Sequence, residues 1–199
     1  MKSWIPAPTL FLFLASSLAL AHGQSSPSAT KLLTLSAWGA ATGTFTGLDS
    51  GKNAGATLGI DIGVPRFAAF VPSAEVRGTW PFYRGSADSL EDILAGGRVS
   101  RFYGQLHPYA DVLFGRTEIH YENGGFLNPA GNFLYLSSPS NLLSVGGGVD
   151  IEWSRSLALK ADLQWQRCAS PVSVSGHLDA VPLSVGVVYT FHFASHPSP

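Results

Sequence analysis

The sequence predicts an all-β protein, an eight-stranded antiparallel up-and-down transmembrane β-barrel. Three observations carry that expectation. Apolar and polar residues alternate with period two in segment after segment, the signature of strands with one apolar face. Apolar residues make up 45% of the chain and charged residues only 13%, yet beyond the N-terminus no apolar run reaches the roughly 20 residues of a membrane-spanning helix. The connections between alternating segments are, in turn, longer and shorter, as in a meander whose two ends face different surroundings.

The chain opens MKSWIPAPTLFLFLASSLALAHGQSS, with Lys2, an apolar run over Leu10 to Leu20, and small residues at Ala19 and Ala21. This reads as a signal peptide over 1–21, cleaved after Ala21, followed by a short linker over 22–30, a barrel over 31–193 and a tail over 194–199. No cysteine stands near the cleavage site, so a lipid anchor is not expected. The net charge of -1 argues against nucleic acid and against anionic surfaces as partners. A single cysteine, Cys168, cannot staple an exported chain. Gly 22 and Pro 13 disfavour long helices.

In chain order, the first strand lies within Lys31–Thr46, with its faces unassigned because Trp38 and Phe45 fall on opposite parities. Leu58, Ile60, Ile62 and Val64 alternate with Thr57, Gly59, Asp61 and Gly63 in the second; Ala74, Val76, Gly78 and Trp80 alternate with Glu75, Arg77 and Thr79 in the third. Ile93 to Ser100 and Ala110 to Gly115 give two more. Leu143, Val145, Val149, Ile151 and Trp153 oppose Ser144, Asp150 and Glu152, then Leu157, Leu159, Leu163 and Trp165 oppose Lys160, Asp162 and Gln164. Only Ser154-Arg155-Ser156 separates these two, a hairpin-length link. Val185, Val187, Tyr189, Phe191 and Phe193 line one face of the last strand.

Alternation alone does not say which face is inside. An eight-stranded barrel is barely wide enough for its own side chains, so glycine should crowd the inner face, and Gly59, Gly63, Gly96, Gly146, Gly148 and Gly186 all fall on the polar one. The lumen is therefore expected to hold a polar network of Asp61, Glu75, Arg77, Arg98, Asp111, Asp150, Glu152, Lys160 and Asp162. Trp80, Trp153, Trp165, Tyr189, Phe191 and Phe193 are expected at the rims of the apolar belt, where aromatic residues border lipid and water.

Tyr189, Phe191 and Phe193, spaced by two at the end of an amphipathic strand, resemble the C-terminal assembly signal of bacterial outer-membrane proteins. With the signal peptide and the alternating segments, the chain from 31 to 193 resembles the OmpA-like eight-stranded outer-membrane β-barrel family. That resemblance implies location in the bacterial outer membrane, insertion by the β-barrel assembly machinery, surroundings of outer-membrane lipid and lipopolysaccharide, and a plugged lumen instead of a wide pore. The ASHPSP that follows Phe193 departs from the pattern, and a peptidoglycan-binding domain is not expected.

No catalytic, cofactor or metal residues are expected. SVGGGVDIEW lacks the spacing and the helix of a phosphate loop. Ser175 and His177 stand in reverse order to a lipid A esterase pair and in a loop, while His196 and Ser198 lie in the tail. His120 and Glu122 are too few for a metal site. The function expected is structural or surface interaction through four exposed loops. The alternatives are a soluble exported ligand-binding barrel, a lipid A-modifying enzyme and a small-solute channel.

Overall fold

A computed structural model describes residues 33–48, 51–64, 69–85 and 87–191. The expected segments become strands β1 (Thr34–Thr46), β2 (Lys52–Gly63), β3 (Phe70–Tyr83), β4 (Asp88–Arg101) and β5 (Leu106–Tyr121). A two-stranded ribbon follows, β6 (Phe126–Leu127) and β7 (Leu134–Tyr135), and then β8 (Ser137–Glu152), β9 (Leu157–Ala169) and β10 (His177–Phe191). Eight of these close a barrel in the order β1-β10-β9-β8-β5-β4-β3-β2, with the β6–β7 ribbon apart. All neighbours are antiparallel. Closure is made by β1 against β10, from Leu35 opposite Phe191 to Thr46 opposite Ala180, so no strand edge is left to be satisfied by lipid.

The period of two is converted directly into inside and outside. Along β2 the burial alternates, with Leu58, Ile60 and Ile62 exposed while Asp61 and Thr57 are buried. Along β10, Val181, Leu183, Val185, Val187, Tyr189 and Phe191 all face outward. An exterior this apolar around an interior this charged reverses the layout of a water-soluble barrel and suits hydrocarbon. It gives the soluble ligand-binding alternative no apolar cavity at the centre of the barrel, which is polar.

β1, unassigned from the sequence, puts Trp38 into the lumen at 4% exposure and Phe45 on the exterior at 52%. The Trp38 ring lies where a side chain on Gly59 would stand, so glycine on β2 makes room for tryptophan on β1. Outside, the Trp80 ring covers Gly78 of its own strand. A ring laid over a strand glycine replaces the missing cross-strand packing.

Several strands outrun their expected spans. β5 continues to Tyr121 and β8 begins at Ser137, so part of the longest connection is barrel wall that rises past the apolar belt. There β5 turns Arg116 and Glu118 outward, opposite Asn141 and Pro139 of β8. The links at the other end are short: Trp153 to Ser156 joins β8 to β9, and a bridge between Tyr103 and Leu106 tightens the β4–β5 turn.

Candidate functional site: the barrel interior and its two ends

The candidate site is the lumen, because each of the eight barrel strands contributes inward polar atoms to it. At its centre Arg77 reaches from β3 to three carboxylates. Its Nε donates to Glu75 Oε1 at 2.6 Å, one terminal nitrogen to Asp162 Oδ1 at 3.0 Å, and the other to Asp111 Oδ2 at 3.1 Å. Gln164 Nε2 donates to Asp111 Oδ2 at 3.1 Å and to Asp162 Oδ2 at 2.9 Å, and Tyr109 Oη donates to Asp162 Oδ2 at 2.7 Å. Oxygens shared between a guanidinium, an amide and a phenol are fixed in place, which is what a buried charge requires.

Below this layer, towards the short turns, Arg98 of β4 donates to Asp61 Oδ2 at 3.2 Å and to Asp150 Oδ2. Its guanidinium lies over the Tyr109 ring at 3.6 Å. Lys160 Nζ sits 4.2 Å from the centre of that ring, 4.5 Å from that of Trp38 and 3.7 Å from Asp150 Oδ1. Aromatic faces thus solvate the cations on the sides that carboxylates leave open. A ladder of hydroxyls across β10, β1, β2 and β3 fills the adjoining wall, with Ser184, Thr42, Thr57 and Thr79 linked at 2.8, 2.6 and 3.1 Å.

The structure therefore brings together Asp61, Glu75, Arg77, Arg98, Asp111, Asp150, Lys160 and Asp162. Glu152 stands apart from them. Its side chain is 43% exposed at the short-turn mouth, 3.7 Å from His107, because it ends β8 where the wall meets the turn. Trp38, Tyr109, Gln164 and Ser144 belong to the network as well, beyond the charged residues expected in it. Gln164 and Ser144 lay on the polar parity and were legible there, whereas Tyr109 fell just outside the alternating segment read from Ala110 to Gly115.

The long-loop end is different in kind. Leu90, Leu94, Leu113, Ile119, Leu142, Cys168 and Leu178 form a buried apolar cluster inside the wall, and Leu48, Phe126 and Tyr135 from the loops pack onto it. Burial there pushes the Cys168 thiol up to about 12. Beside it, Thr46 Oγ1 donates to Asp88 Oδ1 at 2.6 Å, and burial still pushes the Asp88 carboxyl up to about 6. The lumen is thus capped by hydrocarbon at one end. At the short-turn end it opens into a cavity of about 270 Å³.

The aromatic residues expected at the rims face outward. Trp80 and Trp165 stand at 43% and 38% exposure near the long-loop end, and Trp153, at 77%, at the short-turn end. Tyr189 and Phe191 pack edge to face at 4.9 Å between ring centres; Phe193 lies outside the described residues. Phe70, Phe102 and Tyr103 join the short-turn rim. Beyond Trp165, Arg167 holds Asp179 by two hydrogen bonds of 2.7 and 2.9 Å, which keep the Asp179 carboxyl below its usual range.

Residues weighed for chemistry are not assembled for it. The Ser175 hydroxyl donates to the His177 carbonyl at 3.0 Å, while His177 Nδ1 meets the Ser175 carbonyl at 3.0 Å. Neither contact joins hydroxyl to imidazole. Glu122 lies 3.9 Å from Arg84. His196 and Ser198 lie outside the described residues. Among the described residues no three His, Cys, Asp or Glu side chains are placed to hold a metal ion.

No family model matches the sequence, and no curated protein matches it. Among solved structures it is similar to Neisserial surface protein A, at 18% identity over 79% of this chain and 97% of that one, with a TM-score of 0.56. It is also similar to Ail, the attachment invasion locus protein of Yersinia pestis, in complex with the heparin analogue sucrose octasulfate. There the identity is 12% over 80% of this chain and 99% of that one, with a TM-score of 0.53. At such identities the likeness establishes architecture, and the architecture is the one expected from the OmpA-like resemblance: a closed, eight-stranded antiparallel transmembrane β-barrel.

Proposed function

We propose that the protein is an integral bacterial outer-membrane barrel with a structural or surface-interaction role, acting without catalysis. One observation carries this reading: the lumen is closed by ion pairs at its centre and by an apolar cluster at the long-loop end. Anchorage and display are what remain for such a barrel to supply. The belt of Ile60, Phe114, Leu163 and Val185 holds it in lipid. The short turns face the periplasm, and the loops face outward amid lipopolysaccharide. Insertion relies on the β-barrel assembly machinery reading the last strand, β10.

The longest loop supports a surface role. In the β6–β7 ribbon, Phe126 and Tyr135 turn down onto the apolar cluster, whereas Leu127, Phe133, Leu134 and Leu136 remain exposed. Arg116 and Glu118 separate those residues from the lipid belt, so this apolar edge stands in water and not in lipid. Limited proteolysis of intact cells tests the reading. Cleavage within 122–136, with the barrel still in the outer-membrane fraction, is expected; protection of that loop in intact cells with cleavage only after lysis would oppose it.

A further inference from the structure

The exterior of the barrel differs in charge from one end to the other. The outward carboxylates among the described residues, Glu91, Glu118, Glu122 and Asp179, stand at the long-loop end, where Arg84 lies 3.9 Å from Glu122 and Arg167 holds Asp179. At the short-turn end Arg101 closes the outward column of β4, below Val99, and no carboxylate of the described residues lies within ion-pair distance of it. Glu152, also at that end, belongs to the mouth of the lumen beside His107. The Arg101 guanidinium rests instead over the rings of Phe70 and Tyr103, 5.6 and 4.7 Å from their centres. Ring faces hold a guanidinium in place without taking up its in-plane N–H groups, which stay available to a planar or tetrahedral oxyanion.

From Arg101 towards the middle of the belt, the lipid face is lowered. Ala74 of β3 pairs with Gly97 of β4, and a Cβ on Gly97 would meet nothing within 4 Å. Ala95 continues the hollow along β4, while Val76 on one side and Val112 and Phe114 on the other stand beside it, all exposed. An apolar hollow that runs to a cation at the edge of the belt matches an amphiphile with an acyl chain and an anionic head. Lipid already bathes this face, so the occupant is a lipid, and charge decides which kind. A phosphate takes paired N–H bonds from arginine, and with no carboxylate beside Arg101 a headgroup of net negative charge is favoured over a zwitterionic one.

We propose that Arg101, held between Phe70 and Tyr103, binds the phosphate of an anionic glycerophospholipid in the leaflet at the short-turn end, with one acyl chain lying over Ala74, Gly97 and Ala95. The inference rests on the membrane reading above and adds to it a site that selects among lipids.

The barrel refolded into phosphatidylcholine nanodiscs, titrated with phosphatidylglycerol and followed by NMR, tests the proposal. Amide shifts confined to residues 70–76 and 95–103 should saturate at a low mole fraction of phosphatidylglycerol, and inorganic phosphate at equal ionic strength should not produce them. Arg101→Gln should weaken the response by about fivefold or more, the size of one arginine's attraction to an anionic lipid surface. Gly97→Leu, which fills the hollow, should weaken it as well, and Arg116→Gln at the long-loop end should leave it unchanged. Shifts that grow in proportion up to pure phosphatidylglycerol, shifts reproduced by inorganic phosphate, or undiminished affinity in an inserted Arg101→Gln protein would overturn it. Should both variants fail to insert, saturation and the comparison with inorganic phosphate on the unaltered protein still decide. Insertion is read separately by mobility on gels: a chain that never enters the nanodisc contradicts the membrane reading and the site together, whereas an inserted barrel without saturable shifts contradicts the site alone.

Discussion

Arg77 and Asp162 meet across the middle of the barrel, with Nη1 and Oδ1 3.0 Å apart. Their strands, β3 and β9, stand on opposite walls of the ring, so this pair ties the wall together through its centre. Removing the guanidinium leaves Glu75, Asp111 and Asp162 buried without their common cation, and breaking a buried pair in this way costs about 3–5 kcal/mol. Arg77→Met should therefore lower the urea midpoint of unfolding in lipid vesicles by a corresponding amount. Adding Asp162→Asn should cost less than the sum of the two single changes, because the residues share one network.

The lipid face gives the opposite kind of prediction, in which a charge is introduced where none stands. Val185 is 61% exposed at mid-height on β10. Val185→Arg should destabilise the vesicle-inserted barrel by about 2–4 kcal/mol, the cost for arginine near a bilayer midplane. The same change at Asn141, above the belt, should cost far less by the same unfolding assay.

Cys168 reports on the cap at the long-loop end. It is 3% exposed within the apolar cluster, and its raised pKa leaves little thiolate, the reactive form. Maleimide should label it at least ~100-fold more slowly in the folded protein than in the unfolded chain. Leu142→Ala, which removes a neighbour from the cluster, should speed labelling while the barrel stays folded.

Two carboxylates outside the belt make opposite contributions to pH dependence. Asp88 is raised from 3.8 to about 6 by burial, so between those values the folded state holds a proton that the unfolded state has released. Stability from this group is therefore greatest at low pH and falls as pH rises through about 4 to 6. Asp179 is lowered by its hydrogen bonds to Arg167; its contribution is present above the unfolded pKa and is lost as pH falls through the folded one. Solvent exposure keeps that second contribution small. Urea titrations across this range should show the downward trend with rising pH, and Asp88→Asn should flatten it.

The sequence made the wall legible because alternation is imposed by the pleat itself: a residue's parity fixes its side. Asp61, Arg77 and Lys160 could thus be placed inside without coordinates, whereas parity is silent about height. Leu94 and Leu113 stood on the polar parity as visible exceptions, and only the folded chain shows them gathered with Leu142 and Leu178 into a cap. Trp38 was hidden for another reason, since an indole in a crowded lumen is admitted only by Gly59 on the next strand. Ile119 and Tyr121 were obscured because strands above the belt no longer face lipid, so their outward residues, Arg116 and Glu118, give no apolar stripe to read.

The central claim is a closed barrel with a charged interior and an apolar exterior that resides in a membrane. Electrophoresis of the detergent-refolded protein, with and without boiling, tests it most directly when combined with solubility in detergent-free buffer. A shift in mobility on boiling and precipitation without detergent or lipid are the results expected. Identical mobility before and after boiling, from a protein that stays soluble without detergent, would contradict the account.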